Sequence, residues 1–159
     1  MHRVKKVEVP NVPLSMFADS TSFKIYLSDV GIFRKMAKIS SNFMFDRDTD
    51  YDIFRWAIAE NYVLNELIAS TNDTPYYWKS ENKAEVDFLV QMYDTAVPIE
   101  IKAGDNRSKS LAEFRKRYHP KTAVTISAKN DRNGGPIRLP LYAVWKICDR
   151  IRDRLPTEK

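Results

Sequence analysis

Apolar and polar residues alternate along this chain with two different periods, and the changes of period mark its elements. RVKKVEV (residues 3–9) alternates weakly and ends at Pro10 and Pro13, which predicts an exposed strand followed by a loop. In FKIYLSDVGIFRKMA, Phe23, Ile25 and Leu27 alternate as a strand does, and Ser28 or Asp29 is placed to cap a short helix through Ala37. SSNFMFDRDTD (40–50) is polar and reads as loop. From Asp52 to Ala69 the period becomes helical. Trp56, Ala59, Val63 and Leu67 form one stripe, widened by Ile53, Ala57, Leu64 and Ile68. Glu60 falls four residues after Trp56 and three before Val63, so it points along the apolar stripe. Glu66 lies farther round, toward solvent.

Three strands are predicted next: PYYWKS (75–80), AEVDFLVQM (84–92) and AVPIEIKA (96–103). The short connections, ENK and YDT, suit antiparallel hairpins. A polar turn, DNRSKS, leads into the helix SLAEFRKRY, with Leu111, Phe114 and Tyr118 on its apolar side. KTAVTISAK (121–129) is rich in β-branched residues and reads as a strand. The helix between it and the preceding strand suits a parallel crossover. After a turn at NDRNGG, Pro140 opens a last helix with Leu141, Val144, Trp145, Cys148 and Ile151 facing inward. The order α-β-β-β-α-β-α predicts an α/β fold with a mixed sheet flanked by helices.

Composition narrows the function classes. The 159 residues suffice for one domain with a core. The single cysteine, Cys148, makes no internal disulfide and belongs to no Cys/His zinc pattern, which points to a reducing, cytoplasmic setting. No apolar run approaches the roughly 20 residues needed to span a bilayer, and the basic start lacks the apolar core of a signal peptide, so no membrane partner is expected. The four glycines, Gly31, Gly104, Gly134 and Gly135, cannot build GxxxxGK[ST], so this chain carries no P-loop ATP site. A net charge of +5 permits a nucleic acid partner without requiring one.

The candidate chemistry lies in two of the strands. In PIEIKA, Glu100 and Lys102 share a face, about 6–7 Å apart along the strand, opposite Ile99 and Ile101. In EVDFLV, Val86, Phe88 and Val90 face one way and Asp87 and Leu89 the other. If the two strands pair, Asp87 lies beside Glu100. Two close carboxylates repel unless a positive charge sits between them. Mg²⁺ does this with one or two carboxylates, waters and substrate phosphates. Lys102 could then orient an attacking water or stabilise phosphoryl charge, and Glu60 could approach from its helix. The ordinary reading of Glu-x-Lys on a strand is a solvated ion pair. The joint order of Glu60, Asp87 and Glu100-x-Lys102, followed by a helix and a strand, favours the metal-site reading beside that one.

Asp87…Glu100-Ile101-Lys102 resembles the PD-(D/E)XK nuclease signature. More narrowly, FKIYLSDVG, AENYVLNEL, YYWKS, AEVDFLV, VPIEIKAG and PLYAVWKI together resemble the nuclease-like domain of unknown function at the C-terminus of many prokaryotic AAA-type P-loop ATPases. The resemblance runs roughly from Arg3 to Ile147. It implies a restriction-endonuclease-like core, with Asp87 and Glu100 as ligands of Mg²⁺ or Mn²⁺ and the Ile101 carbonyl as a further ligand. It also implies Lys102 as the catalytic lysine and Glu60 as the helix glutamate of the site. The proline of the motif is absent, Val86 standing in its place. The implied partners are DNA and an N-terminal ATPase domain of a longer parent chain. Residues 1–20 would then be strand and loop material from a linker or winged-helix-like region, residues 21–159 the nuclease-like domain, and the chain a C-terminal fragment. Arg107, Lys109, Arg115, Lys116 and Lys121 are candidate phosphate contacts, with Arg117 beside them; a solvated helix face is the plain alternative. Tyr76, Tyr77 and Trp78 suit base stacking or, more ordinarily, the core. Two functions follow: a divalent-metal-dependent DNA endonuclease, or a non-catalytic DNA-binding or regulatory module of the ATPase.

Overall fold

The computed structural model describes residues 1–39, 52–81, 84–102, 109–127 and 136–155, with residues 52 and 53 described by backbone alone. The expected loop over 40–50, the Ile53 side chain, most of ENK, the start of DNRSKS with Arg107, and the NDRNGG turn lie outside the described residues. Seven strands form one mixed sheet: β1 (His2–Val7), β2 (Ala18–Tyr26), β3 (Tyr76–Lys79), β4 (Glu85–Met92), β5 (Thr95–Lys102), β6 (Val124–Ser127) and β7 (Ile137–Pro140). Their spatial order is β2-β1-β3-β4-β5-β6-β7. The helices are α1 (Val30–Met36), α2 (Asp52–Thr71), α3 (Lys109–Tyr118) and α4 (Ile147–Arg152).

The expected centre is present. β3, β4 and β5 form an antiparallel meander, and α3 carries the chain across to β6, which pairs parallel with β5. β5 reads as a nearly continuous apolar run because both of its faces are covered. On one face, Val63, Leu64 and Leu67 of α2 and Val144, Ile147, Cys148 and Ile151 from the C-terminal segment pack over Phe88, Val90, Ile99, Ile101, Val124 and Ile126. On the other, Phe114 of α3 joins Val7, Leu14, Trp78, Val86, Leu89 and Ala96. Trp78 stacks edge-on against Phe114, with ring centroids 5.1 Å apart, and against Tyr118 at 5.7 Å. Tyr77 and Trp78 are therefore core residues and offer no face to a base.

Four expectations are corrected. β1 is not an exposed strand: it lies between β2 and β3, hydrogen-bonded on both sides, with Val4 and Val7 fully buried. In β2 the inward parity is the reverse of the apolar one. Phe23 and Ile25 are exposed, while Tyr26 is buried and Lys24 half-buried. The segment before Pro140 is a strand, β7, parallel to β6, and the helical part that follows is a 3-10 turn (Leu141–Lys146) running into α4. Trp145 points to solvent, and Ile147 takes the buried place expected of it. Finally, strict alternation fails in β4. Tyr76 pairs with Leu89 and Trp78 with Val86, so two steps along β3 meet three along β4. This bulge turns Val86 to the α3 face with Leu89, away from Phe88 and Val90.

Short-range signals hold where geometry is local. Asp29 caps α1, its Oδ1 accepting the Ile32 N–H at 2.8 Å. Asn61 of α2, buried, accepts the Leu27 N–H at 2.9 Å and donates to the Leu27 carbonyl at 2.8 Å. That two-point contact ties the end of β2 to α2 beside Glu60.

Candidate functional site

The β4–β5 ladder runs from Met92 opposite Thr95 to Phe88 opposite Ile99. Beyond that pair the strands part. β4 keeps its pairing with β3 at Glu85, and β5 keeps its pairing with β6 through Lys102. The gap is a fork, and Asp87 and Glu100 are the first residues beyond the last rung. Asp87 Oδ2 accepts the backbone N–H of Ile101 at 2.7 Å, so the carboxylate bridges the two strands where backbone pairing has ended. Asp87 lies within the β4 bulge, between Val86 and Leu89.

Glu100 and Lys102 alternate with Ile99 and Ile101, which are buried against α2 and α4. The register carries the polar row outward: Glu100 stands beside Thr125, and Thr125 beside Arg138. Lys102 stands beside Ser127. Asp87 and Glu100 stand at the mouth of this fork, and Lys102 lies two residues farther along β5. Burial pushes the Asp87 carboxyl well above the usual carboxylate range, and the charges of Glu100 and Glu60 push it further; the Ile101 N–H and Lys24 oppose this. Burial also lowers the Lys102 ammonium, assisted by Arg138 and opposed by Glu100. A buried carboxyl lifted by two neighbouring carboxylates marks a place that favours positive charge.

Glu60 does point inward, but it meets other partners first. Its Oε1 accepts a short hydrogen bond from the Tyr26 hydroxyl and pairs with Lys24 Nζ at 3.1 Å. Lys24 reaches from β2 over Tyr77, its Nζ 5.1 Å from the ring centroid, and also pairs with Glu85 of β4. Lys79 pairs with the second Glu85 oxygen at 3.1 Å. Burial opposes the Lys24 charge, but Glu60 and Glu85 outweigh it and hold the ammonium above its ordinary value. Burial likewise works against the Glu85 carboxylate, and Lys24 and Lys79 reverse that. Burial pushes the Tyr26 hydroxyl up, and the negative Glu60 beside it adds to the effect.

Lys24, Tyr26, Glu85 and Arg138 were not expected at the site. The signal for the first two was present in FKIYL, at the positions between its apolar residues. Glu85 becomes relevant only through the bulge, and Arg138 only through β7.

Of the expected phosphate contacts, Arg107 lies outside the described residues and the others lie on and after α3. Lys109 opens α3, and Arg115 and Lys116 stand exposed in its last turn, with Arg117. Lys121 pairs with Asp94 at 2.8 Å in the β4–β5 turn. That is the opposite end of the hairpin from Asp87, seven residues and about 23 Å along the strand. Lys121 therefore does not join the fork.

Among the described residues no three His, Cys, Asp or Glu side chains form a group able to hold a metal ion by themselves. Asp87 and Glu100 are the residue type that a sparser Mg²⁺ site uses, in which one or two carboxylates leave the remaining positions to water and phosphate. No helix among the described residues is long and apolar enough to cross a membrane. The fold and this fork define a mixed α/β domain with a charged site where two central strands part. Residues 57–143 match the family described as "Domain of unknown function (DUF4143)", and the chain belongs to it. The family is associated with AAA ATPase proteins. No curated protein and no solved structure matches the chain.

Proposed function

We propose that this chain is a PD-(D/E)XK-type, restriction-endonuclease-like domain that cleaves DNA phosphodiesters with a divalent cation, in the cytoplasm, under a partner ATPase domain. The observation that carries this reading is the fork. Asp87 and Glu100 are the first residues beyond the last rung between β4 and β5, with Lys102 two residues on, and Asp87 is bonded to the Ile101 N–H.

Asp87 and Glu100 would hold Mg²⁺ or Mn²⁺, with the Ile101 carbonyl as a further oxygen. Once bound, the ion would polarise a phosphoryl oxygen and acidify its water. The other roles belong to the chain. The Asp87 bond to the Ile101 N–H fixes its carboxylate relative to the Glu100 strand. Lys102, its ammonium lowered by burial, would orient an attacking water and face the charge that grows on the phosphate. Glu60, tied to Lys24 and Tyr26, shapes the negative field around Asp87 from the flank.

The second reading is a non-catalytic DNA-binding or regulatory module of the ATPase. It is favoured by the commitment of Glu60 to Lys24 and Tyr26 and by the lack of a three-ligand group among the described residues. The two are separated by incubating the protein with supercoiled, linear and single-stranded DNA and with RNA, in Mg²⁺ or Mn²⁺, beside Asp87→Ala and Lys102→Ala. Metal-dependent cutting lost in both variants supports the first. No cutting, together with no calorimetric metal binding, leaves the second.

A further inference from the structure

We propose that Arg138 of β7 is a phosphate-contacting residue: at the end of the cross-strand row Glu100, Thr125 and Arg138, its guanidinium holds a backbone phosphate of bound DNA next to the phosphate at the fork. The inference deepens the DNA reading above and rests on it.

The row follows from register. Glu100 pairs with Thr125, and Thr125 with Arg138, on three adjacent strands. Each stands between two buried residues: Glu100 between Ile99 and Ile101, Thr125 between Val124 and Ile126, and Arg138 between Ile137 and Leu139. All six of those residues belong to one core with Val63, Leu64 and Leu67 of α2. The three polar residues between them therefore share the opposite face of the sheet. Neighbouring strands lie about 4.8 Å apart, which puts the Arg138 backbone about 10 Å from that of Glu100. Arg138 is exposed at the end of the row, and Thr125 is half-buried in its middle. The Arg138 charge is felt at Lys102: burial lowers that ammonium most, Glu100 opposes this, and Arg138 adds to the lowering.

Charge decides what such a residue is for. The carboxylates around the fork repel a polyanion, and the lysines beside them are engaged. Lys24 pairs with Glu60 and Glu85, and Lys79 pairs with Glu85. Among the described residues no carboxylate forms an ion pair with Arg138. Its charge is therefore open to an outside anion, on the face that carries Glu100 and Lys102. A planar guanidinium offers paired N–H donors that match two oxygens of a phosphate. The offset of two strands separates Arg138 from a phosphate held at the fork, so it meets a neighbouring one. Such a contact fixes the register of DNA on the protein without reading its sequence.

Fluorescence anisotropy of the full chain tests this, with labelled duplex oligonucleotides of two unrelated sequences. CaCl₂ replaces Mg²⁺ or Mn²⁺, and KCl is varied. Arg138→Gln is expected to weaken Kd about tenfold on both sequences. The slope of log Kd against log salt should fall by about one. Arg138→Lys should keep that slope and recover part of the affinity. Lys35→Gln, on the exposed side of α1, should change neither. Circular dichroism checks that each variant is folded. Arg138→Gln that binds as the unaltered protein does, with the same salt slope, would overturn the inference and leave the DNA reading standing. A loss confined to one sequence would also overturn it, since Arg138 would then be reading bases. If the unaltered protein binds neither duplex at any salt concentration, the DNA reading itself fails and the Arg138 inference falls with it.

Discussion

Asp87 and Ile101 are joined across the parting strands by a side chain in place of a backbone rung: the carboxylate accepts the amide N–H at 2.7 Å. This contact satisfies a strand N–H at the point where β4 no longer supplies a carbonyl. It also draws a carboxylate toward Glu100. The chain therefore accepts electrostatic repulsion at one end of its central hairpin, which is the usual condition of a site made for a ligand rather than for stability.

The repulsion has a pH signature. The Asp87 carboxyl is raised in the folded chain, by burial first and then by Glu100 and Glu60. The folded state therefore holds this proton more tightly than the unfolded one. The resulting stabilisation is complete below the ordinary carboxyl range and is lost as pH rises through the raised value. Asp87→Asn keeps a neutral acceptor for the Ile101 N–H at every pH. It should melt higher than the unaltered protein at pH 8 without metal, by about 2–4 °C, the shift that about 1 kcal/mol gives in a domain of this size. The difference should narrow toward pH 5. Melting curves across that range check this, and a variant less stable at pH 8 would contradict it.

Lys24→Met leaves two carboxylates, each roughly a quarter exposed, without their shared cation. Loss of charged hydrogen bonds at such sites costs about 1–3 kcal/mol. Urea unfolding should show that loss, and a double-mutant cycle with Glu60→Gln should return a coupling of about 0.5–3 kcal/mol. Additive effects would mean that the 3.1 Å pair contributes nothing.

Trp78 and Trp145 should respond very unequally to truncation. Trp78 is fully buried among Phe114 and Tyr118, and Trp78→Ala is expected to cost about 3–5 kcal/mol. Trp145 is 58% exposed, and its replacement by Ala should stay within about 0.5 kcal/mol. Denaturant midpoints measured side by side decide the matter.

Asp29→Ala removes the acceptor of the Ile32 N–H at the start of α1 and should cost about 1 kcal/mol. Because α1 buries no residue fully, the loss should appear as faster amide exchange within Val30–Met36, with little change at β4 and β5. Uniform acceleration throughout the sheet would argue against a local cap.

Much of the central architecture is legible along the chain because its causes are close in sequence. The 3.6-residue stripe of α2, the two tight hairpins of β3, β4 and β5, the crossover through α3 and the Asp29 cap each depend on neighbours a few residues apart. The Glu100-x-Lys102 face is legible for the same reason, since alternation alone places both side chains. Tertiary structure decides the rest. β7 spans only Ile137–Pro140 and exists as a strand through its pairing with β6. β1 gains an interior place by pairing with β2 and β3, which follow it at very different distances along the chain. The β4 bulge appears only when β3 is laid beside it, because a mismatch of register belongs to two strands and not to one. Lys24, Glu60 and Glu85 meet only because β2, α2 and β4 converge, although the residues are 36 and 61 positions from Lys24. Sequence pattern thus determined that Glu100 and Lys102 share a face and that Glu60 runs along the inward stripe of α2, since local period controls direction. Long-range pairing decided which of them meet, since proximity across a sheet is a property of topology.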